Sequence, residues 1–260
     1  MACNWCKDDY FSLLISTDKK AHAALEMLVD DLHADKEATI GTFLSHSGAE
    51  DFLWGLVRLL GCDNPRVAGN SAYIIGTLAE SDLGCSRILG LAKGRHGESR
   101  KILPDLTRML AFDDAESVMN AAGTMGTLAE SSEGREWMLS EPCLNQTLDH
   151  VTTLLSADNL WTASNAALVL ARLSISENGC LKVLEHEHSQ HILSRLVQSL
   201  GVDEAAPTLK HSPTPKHSPT LLNTAPTPKH SPTPKHSPSP TLNTAPTPKH
   251  SPTPKHSPHS

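Results

Sequence analysis

The chain has 260 residues and a formal net charge of −7 at pH 7, but this charge is divided unevenly. Residues 1–206 carry all 29 Asp and Glu against 16 Lys and Arg, a net −13, whereas residues 207–260 carry six Lys and no acid. An acidic body argues against direct nucleic-acid binding, because phosphate contact needs clustered Lys and Arg. No apolar run approaches the ~18 residues that span a bilayer, so we expect no membrane insertion.

The N-terminal residues and the cysteines indicate an intracellular protein. Residues 1–11, MACNWCKDDYF, lack the basic start and the apolar core of a signal peptide. The six cysteines are sparse, and buried, reduced thiols explain them best. We therefore expect a cytoplasmic protein, with the nucleus, the cytoskeleton and the cilium as alternative locations.

Residues 1–17 are predicted to be a short segment ahead of a helical domain. Within this segment, Cys3 and Cys6 have the spacing of a zinc-finger or thioredoxin pair. A structural zinc site needs a second ligand pair, and no other Cys-x-x-Cys occurs in the chain. We expect these cysteines to be incidental, and we expect the protein to need neither a metal ion nor another cofactor.

The helical domain is predicted to cover residues 18–206, and three segments of it are copies of one another. Each copy has an Asp, an Asn seven residues later, a Gly fourteen residues after that, and a Leu five further on. The three sets are Asp63, Asn70, Gly84 and Leu89; Asp113, Asn120, Gly134 and Leu139; and Asp158, Asn165, Gly179 and Leu184. A period in the forties in helix-forming sequence is typical of a stacked α-helical array.

Each copy is predicted to contain a long helix, a short helix and a third helix. In the second copy, apolar residues from Val118 to Ala129 recur at steps of three and four, which is the pattern of a helix with one buried face. Acidic residues at the start of this copy suit the positive end of the helix dipole and can supply a cap. They are Asp113, Asp114 and Glu116. Small residues such as Gly76 and Gly126 are expected to let neighbouring helices approach closely.

The register extends beyond the three copies. The second and third copies are 45 residues apart, and the 50-residue step from Asp63 to Asp113 is explained by an insertion in the loop 93–99. Residues 19–60 resemble a degenerate first unit, as expected of a capping repeat. A fourth unit begins at Asp203 and stops almost at once, so we expect the last helix, 189–200, to leave an apolar face exposed.

Residues 185–191, Glu-His-Glu-His-Ser-Gln-His, look like a metal-binding cluster. They lie between a predicted short helix and the last helix, where solvated polar residues are expected. Histidines two positions apart do not share a helix face, although His188 and His191 can. The sequence therefore predicts a solvated turn here and no metal site.

Residues 207–260 are a low-complexity tail that contains 15 of the 18 prolines and five copies of TPKHSP. This composition predicts disorder with some polyproline-II structure. Its Ser-Pro and Thr-Pro pairs are candidate sites for a proline-directed kinase and, once phosphorylated, for a WW-type reader. The sites are Ser212, Thr214, Ser218, Thr227, Ser231, Thr233, Ser237, Ser239, Thr247, Ser251, Thr253 and Ser257. The alternative is expansion of a repetitive DNA stretch with no selected role.

The order of long, short and long helices at 45-residue spacing resembles the armadillo repeat. In that family the third helix of each repeat is long and reads roughly Ala-aromatic-Ala-Leu-Ser-Asn-Leu. Residues 72–78, in the long helix that begins the first copy here, read Ala-Tyr-Ile-Ile-Gly-Thr-Leu. Residues 120–129, NAAGTMGTLA, are similar to the version found in catenin- and plakophilin-type members. The resemblance covers about residues 45–203, and the HEAT repeat has a related plan. It implies an all-α, right-handed armadillo/HEAT-like α-solenoid with three clear repeats and a degenerate N-terminal unit.

The resemblance also implies where a protein partner would bind. The family holds an extended peptide with an Asn of the third helix, and that position is Thr77, Thr127 and Arg172 here. The family's groove Trp corresponds to Tyr73 in the first copy, and these departures argue against nuclear-import-type recognition of a basic peptide.

The repeated asparagines lie seven residues before the family's binding position. They have two interpretations: structural hydrogen bonds between units, or a row of amides along a groove. The candidate protein-binding residues are therefore Asn70, Tyr73, Thr77, Asn120, Thr127, Asn165 and Arg172.

The sequence contains no Gly-rich phosphate loop, nucleophile elbow, metalloprotease motif or dinucleotide fingerprint. We expect a non-enzymatic scaffold or adaptor that binds a protein along the helical-repeat surface. Its acidic body favours a partner with basic or mixed charge. The alternative is a phospho-regulated adaptor whose basic tail contacts the acidic body or a phospho-reader. An enzyme is the least supported class, because it would need a deep pocket with perturbed titratable groups.

Overall fold

The computed structural model describes residues 10–17, 19–94 and 101–201, and within these ranges the chain is helical with no β-strand. A short 3₁₀ helix, Phe11–Ile15, comes first. The α-helices are α1 (Lys19–Ala34), α2 (Lys36–Ser45), α3 (Ala49–Leu60), α4 (Pro65–Leu78), α5 (Asp82–Lys93), α6 (Ile102–Met109), α7 (Ala115–Leu128), α8 (Ser132–Ser140), α9 (Leu144–Leu154), α10 (Leu160–Leu173), α11 (Glu177–Glu185) and α12 (Ser189–Gly201).

Four features predicted from the sequence lie outside the described residues. They are the Cys3 and Cys6 pair, most of the insertion loop (95–99), the start of a fourth unit at Asp203, and the tail 207–260 with all its candidate phosphorylation sites. The four described cysteines, Cys62, Cys85, Cys143 and Cys180, are free thiols, and Cys85 is buried.

The three copies fold as three equivalent helical units. Helices α7 and α10 begin 45 residues apart, at Ala115 and Leu160, and α4 begins 50 residues before α7, at Pro65. Helix α5 has 12 residues whereas α8 and α11 each have nine, so the extra length of the first unit starts inside α5 and not in the loop alone. The fold is an armadillo-like α-solenoid, as predicted, with a degenerate first unit formed by α1, α2 and α3.

Each long helix begins with a side-chain cap, but the cap is one residue later than the aligned Asp. The three capping residues are Asn64, Asp114 and Asn159. In α7 the Asp114 carboxylate accepts a hydrogen bond from the Ser117 N–H at 2.8 Å, which satisfies a free donor of the first turn. Asp114 is one of the acidic residues from which the sequence predicted a cap, so that prediction is confirmed, and Asp113 lies just outside the helix.

The repeated glycines mark the points where each short helix crosses the end of the long helix before it. In α5 the Ser81 hydroxyl caps the helix by accepting a hydrogen bond from the Gly84 N–H at 3.1 Å. A Cβ at Gly84 would overlap the carbonyl oxygen of Leu78, the last residue of α4. Gly134 and Gly179 have the same surroundings in the second and third units. The crossing therefore requires glycine, which explains its fixed offset in every copy.

Helices α4 and α7 are joined by three hydrogen bonds that we call the α4–α7 polar ladder. They run from Ser117 Oγ to Pro65 O (2.7 Å), from Asn120 Nδ2 to Gly69 O (3.3 Å) and from Thr124 Oγ1 to Ala72 O (2.6 Å). Gly69 and Gly76 make this approach possible, because a Cβ on either would lie 2.5 or 2.6 Å from the opposing hydroxyl oxygen. The prediction that small residues allow close helix packing is confirmed here.

Replacing Thr124 by Val should destabilise the protein by about 1–2 kcal/mol, because it removes a buried hydroxyl donor and sets a methyl against the Ala72 carbonyl. The control is Thr153→Val on α9, whose exposed hydroxyl donates to its own helix at the Asp149 carbonyl (3.0 Å). That change should stay within about 0.5 kcal/mol. Urea unfolding of both variants measures the difference. Equal losses would show that the hydroxyl of Thr124 contributes nothing beyond its helix.

The packed domain starts earlier than the boundary predicted at residue 18. Tyr10, Phe11 and Leu14 are buried, and the Phe11 ring lies 5.2 Å from the ring of Phe43 on α2. The Arg58 guanidinium of α3 also donates hydrogen bonds to backbone carbonyls of the 3₁₀ helix and of the residue after it, among them Ile15 O at 3.0 Å. Part of the predicted segment 1–17 therefore belongs to the core of the first unit.

The last unit leaves apolar side chains exposed, as the sequence predicted. Leu184 is 48% exposed, whereas its equivalents Leu89 and Leu139 are 1% and 7% exposed. On α12, Leu193 and Val197 are 42% and 68% exposed. No helix among the described residues combines the length and the apolar character needed to cross a membrane.

Candidate functional site

A cavity of about 400 Å³ lies between α1, α4 and α7. Its lining comes from the middle of α1 and from the first turns of α4 and α7. The lining residues are Glu26, Val29, Asp30, Arg66, Gly69, Asn70, Asp114, Glu116, Ser117 and Asn120. The face of α4 that meets α7 is held by the polar ladder, and the cavity lies beside it, on the side where α1 approaches.

The cavity is acidic. Glu26, Asp30, Asp114 and Glu116 contribute four carboxylates, and Arg66 is the only basic residue in the lining. Arg66 pairs with Glu26 at 2.9 Å, and both side chains are largely exposed, so this pair is weak. Asp114 caps α7, whereas Asp30 and Glu116 make no hydrogen bond or ion pair with the residues that the structure describes. Two carboxylates are thus available to a cationic group.

The repeated asparagines divide into two kinds. Asn120 donates to Gly69 O at 3.3 Å, and Asn165 donates to Met119 O at 3.1 Å, so both link adjacent long helices. For these two, the structural interpretation is correct. Asn70 is half-buried in the cavity, and its amide has no hydrogen-bond partner among the described residues. It alone of the three offers its amide to a ligand.

The other residues predicted from the resemblance are not part of the cavity. Tyr73 and Thr77 are buried, and the Thr77 hydroxyl donates to Tyr73 O, one turn earlier, at 2.8 Å. Burial also raises the pKa of the Tyr73 phenol. Thr127 is buried in the same way, and its hydroxyl donates to Gly123 O at 3.2 Å. These side chains complete the packing of their own helices.

Arg172 has partners within the chain. Its guanidinium donates to Gly126 O at 2.7 Å and to a Glu130 carboxylate oxygen at 2.8 Å. Both partners belong to the C-terminal end of α7 and the turn after it. Arg172 therefore links α10 to α7, and its guanidinium is already bonded within the chain.

A second cavity, of about 270 Å³, is lined by Trp54, Val57, Arg58, Gly61, Lys101 and Asp105. Burial raises the pKa of the Asp105 carboxyl, although nearby Arg108 and Lys101 oppose the shift. No Ser, Cys or His lies in this lining to act as a nucleophile or as a paired base. The cavity does not assemble the groups that acyl or phosphoryl transfer would need.

No family model matches the chain, and no curated protein matches it either. Solved structures with some likeness include two engineered proteins from the Northeast Structural Genomics Consortium, 17% and 15% identical, with TM-scores of 0.37 and 0.41. These matches cover 79% and 76% of this chain and 99% of each engineered protein.

A designed armadillo repeat protein, solved in complex with the peptide (KR)4, is 17% identical with a TM-score of 0.35, covering 75% of this chain and 99% of its own. The armadillo-like fold of this chain rests on its helix order, the 45-residue spacing and the packing of its long helices.

Proposed function

We propose that this chain is a non-enzymatic protein-binding scaffold whose acidic cavity receives basic side chains of an extended partner segment. The observation that carries the proposal is the pair of carboxylates of Asp30 and Glu116, which face a cavity of about 400 Å³ without a partner among the described residues. A Lys or Arg side chain entering the cavity would pair with them at little cost in desolvation, since both acids are exposed.

The amide of Asn70 supplies the polar group that would orient such a segment. It lies in the same cavity and has both a donor and an acceptor to offer. A peptide backbone passing over α4 can bond to it, while its basic side chains reach the carboxylates on α1 and α7. The acidic character of residues 1–206 would speed the approach of a basic partner.

The proposal is tested with the full-length chain and a labelled peptide of alternating Lys and Ser, followed by fluorescence anisotropy. The double variant Asp30→Asn/Glu116→Gln should weaken binding about tenfold, and added salt should weaken binding to the native chain. The control Glu136→Gln removes an exposed acid on α8 that does not line the cavity, and it should leave the affinity unchanged. Equal affinity in the native chain and the double variant would reject the proposal, as would equal binding of a Glu and Ser peptide.

The regulatory alternative uses the same cavity, with the basic tail as the occupant. Residues 207–260 hold six lysines and no acid, so they have the charge that the cavity favours. A full-length variant with these six lysines replaced by Ser should bind the labelled peptide more tightly if the tail competes for the cavity. An unchanged affinity would reject the regulatory alternative and leave the scaffold proposal to be decided by the cavity variants.

A further inference from the structure

The junction between α11 and α12 brings three histidine and carboxylate side chains to one point on α9. Asp149 Oδ1 of α9 lies 3.5 Å from His188 Nε2. His188 Nε2 in turn lies 3.7 Å from the Glu187 carboxylate. The ligand atoms of Asp149, Glu187 and His188 are all within 4.8 Å of one another. No residue of this cluster lines the acidic cavity.

These separations fit a metal ion with a small tetrahedral shell. Zinc binds His nitrogen and carboxylate oxygen at about 2.0–2.2 Å, which places neighbouring ligand atoms about 3.3–3.6 Å apart. Two of the three separations, 3.5 and 3.7 Å, lie close to that range, and the third, between Asp149 and Glu187, is within 4.8 Å. Glu187 and His188 are exposed, so their side chains can adjust around an ion without moving the backbone.

Asp149 supplies an independent observation. Its Oδ1 atom is buried and accepts no hydrogen bond from the described residues, although the rest of the carboxylate reaches solvent. A buried anionic oxygen without a donor is costly unless a cation neutralises it. The nearest group of opposite potential charge is His186 Nε2, at 3.3 Å.

His186 has a structural role that leaves it unsuited to bind the ion itself. Its Nδ1 accepts a hydrogen bond from the His188 N–H at 3.3 Å, so in the neutral imidazole the proton is on Nε2. This Nε2 lies 3.3 Å from Asp149 Oδ1 without the alignment of a hydrogen bond. The same arrangement occurs at the junction of α2 and α3, where His46 Nδ1 accepts from the Gly48 N–H at 2.9 Å. His186 is therefore a buried neighbour of the Asp149 carboxylate and does not itself offer a free ring nitrogen to an ion.

From this geometry we infer that Asp149, Glu187 and His188 bind a divalent transition-metal ion of the zinc type, with water completing the shell. One His nitrogen and two carboxylates form a donor set that zinc accepts, and a site with three protein ligands keeps one position open to solvent. The ion would join α9 to the start of α12, the last helix of the described residues, on which Leu193 and Val197 are exposed. The sequence alone predicted a solvated turn because Asp149, on another helix, was not visible as a neighbour.

The test is calorimetric titration of Zn²⁺ into the full-length chain with the seven histidines beyond residue 206 replaced by Gln, which removes the metal-binding background of the tail. We expect one saturable site, weakened at least about tenfold by Asp149→Asn and by His188→Gln. The control His191→Gln removes a nearby exposed histidine of α12 and should leave the affinity unchanged.

A second readout guards against variants that bind poorly because they fold poorly. Zn²⁺ should raise the thermal midpoint of the parent chain and of His191→Gln, but not that of His188→Gln, whose midpoint without zinc should match the parent because the side chain is exposed. An absence of saturable binding in the parent would overturn the inference. So would an affinity that Asp149→Asn and His188→Gln leave intact.

Discussion

Replacing Gly84 by Ala is expected to destabilise the protein by about 3 kcal/mol or more. The new Cβ would overlap the backbone carbonyl oxygen of Leu78, which cannot move away because it belongs to the last turn of α4. The N-terminus of α5 would have to shift, and the Ser81 cap would be disturbed with it. Urea unfolding followed by circular dichroism measures the loss.

Gly90→Ala is the matched control, because Gly90 lies in the same helix. A Cβ there has nothing within 4 Å, and the residue is exposed. Alanine costs less backbone entropy than glycine in a helix, so this variant should be more stable than the native chain by about 0.5–1 kcal/mol. If Gly84→Ala behaved like Gly90→Ala, the close crossing of α4 and α5 would be disproved.

Replacing Phe43 by Ala is expected to cost about 3–5 kcal/mol, since Phe43 is fully buried. The centre of its ring lies 5.2 Å from that of Phe11 and 6.0 Å from that of Phe52. Removing the ring therefore opens a cavity between α2, α3 and the 3₁₀ helix. In a repeat array each unit contacts mainly its neighbours, and the damage should stay local. Amide hydrogen exchange should accelerate in residues 10–60 far more than in α7 and α10.

Phe112→Ala provides the comparison outside the first unit. Phe112 is half-buried, and the Arg108 guanidinium carbon lies over its ring, 5.1 Å from the ring centre. Its loss should cost only about 1 kcal/mol. Faster exchange spread evenly over the whole chain in Phe43→Ala would contradict a locally coupled array.

The repeat, its period and its helices could be predicted from the sequence because a few positions tolerate only one residue type. Gly84 and its equivalents lie against a carbonyl in all three copies, and two of the three repeated asparagines, Asn120 and Asn165, bond to the neighbouring helix. Such contacts recur at the same place in successive units, so the residues that make them recur at fixed offsets in the sequence. The exposed end of the array was also predictable, since it follows from the absence of a complete fourth unit before the tail.

The candidate sites were not predictable in the same way. Asp30 and Glu116 are exposed acids on helices, and nothing in the sequence separates them from other solvated acids. Asn70 differs from Asn120 only because α1, and not another copy, stands in front of it. The groove positions taken from the resemblance lie outside the cavity, and Thr77 and Thr127 bond within their own helices. Which residues form the candidate sites depends on contacts between helices that are far apart in the sequence.

The α4–α7 polar ladder also bears on which neighbouring helices of the array can move against each other. Three side chains of α7 are bonded to backbone carbonyls of α4, and glycines bring the two helices close together. Between α1 and α4, among the described residues, an exposed ion pair joins Arg66 to Glu26, the His33 and Tyr73 rings lie with their centres 5.4 Å apart, and the cavity lies beside these contacts. We therefore expect α1 to shift against α4 more readily than α4 shifts against α7. A ligand entering the cavity would meet one wall that can adjust to it and one that holds its shape.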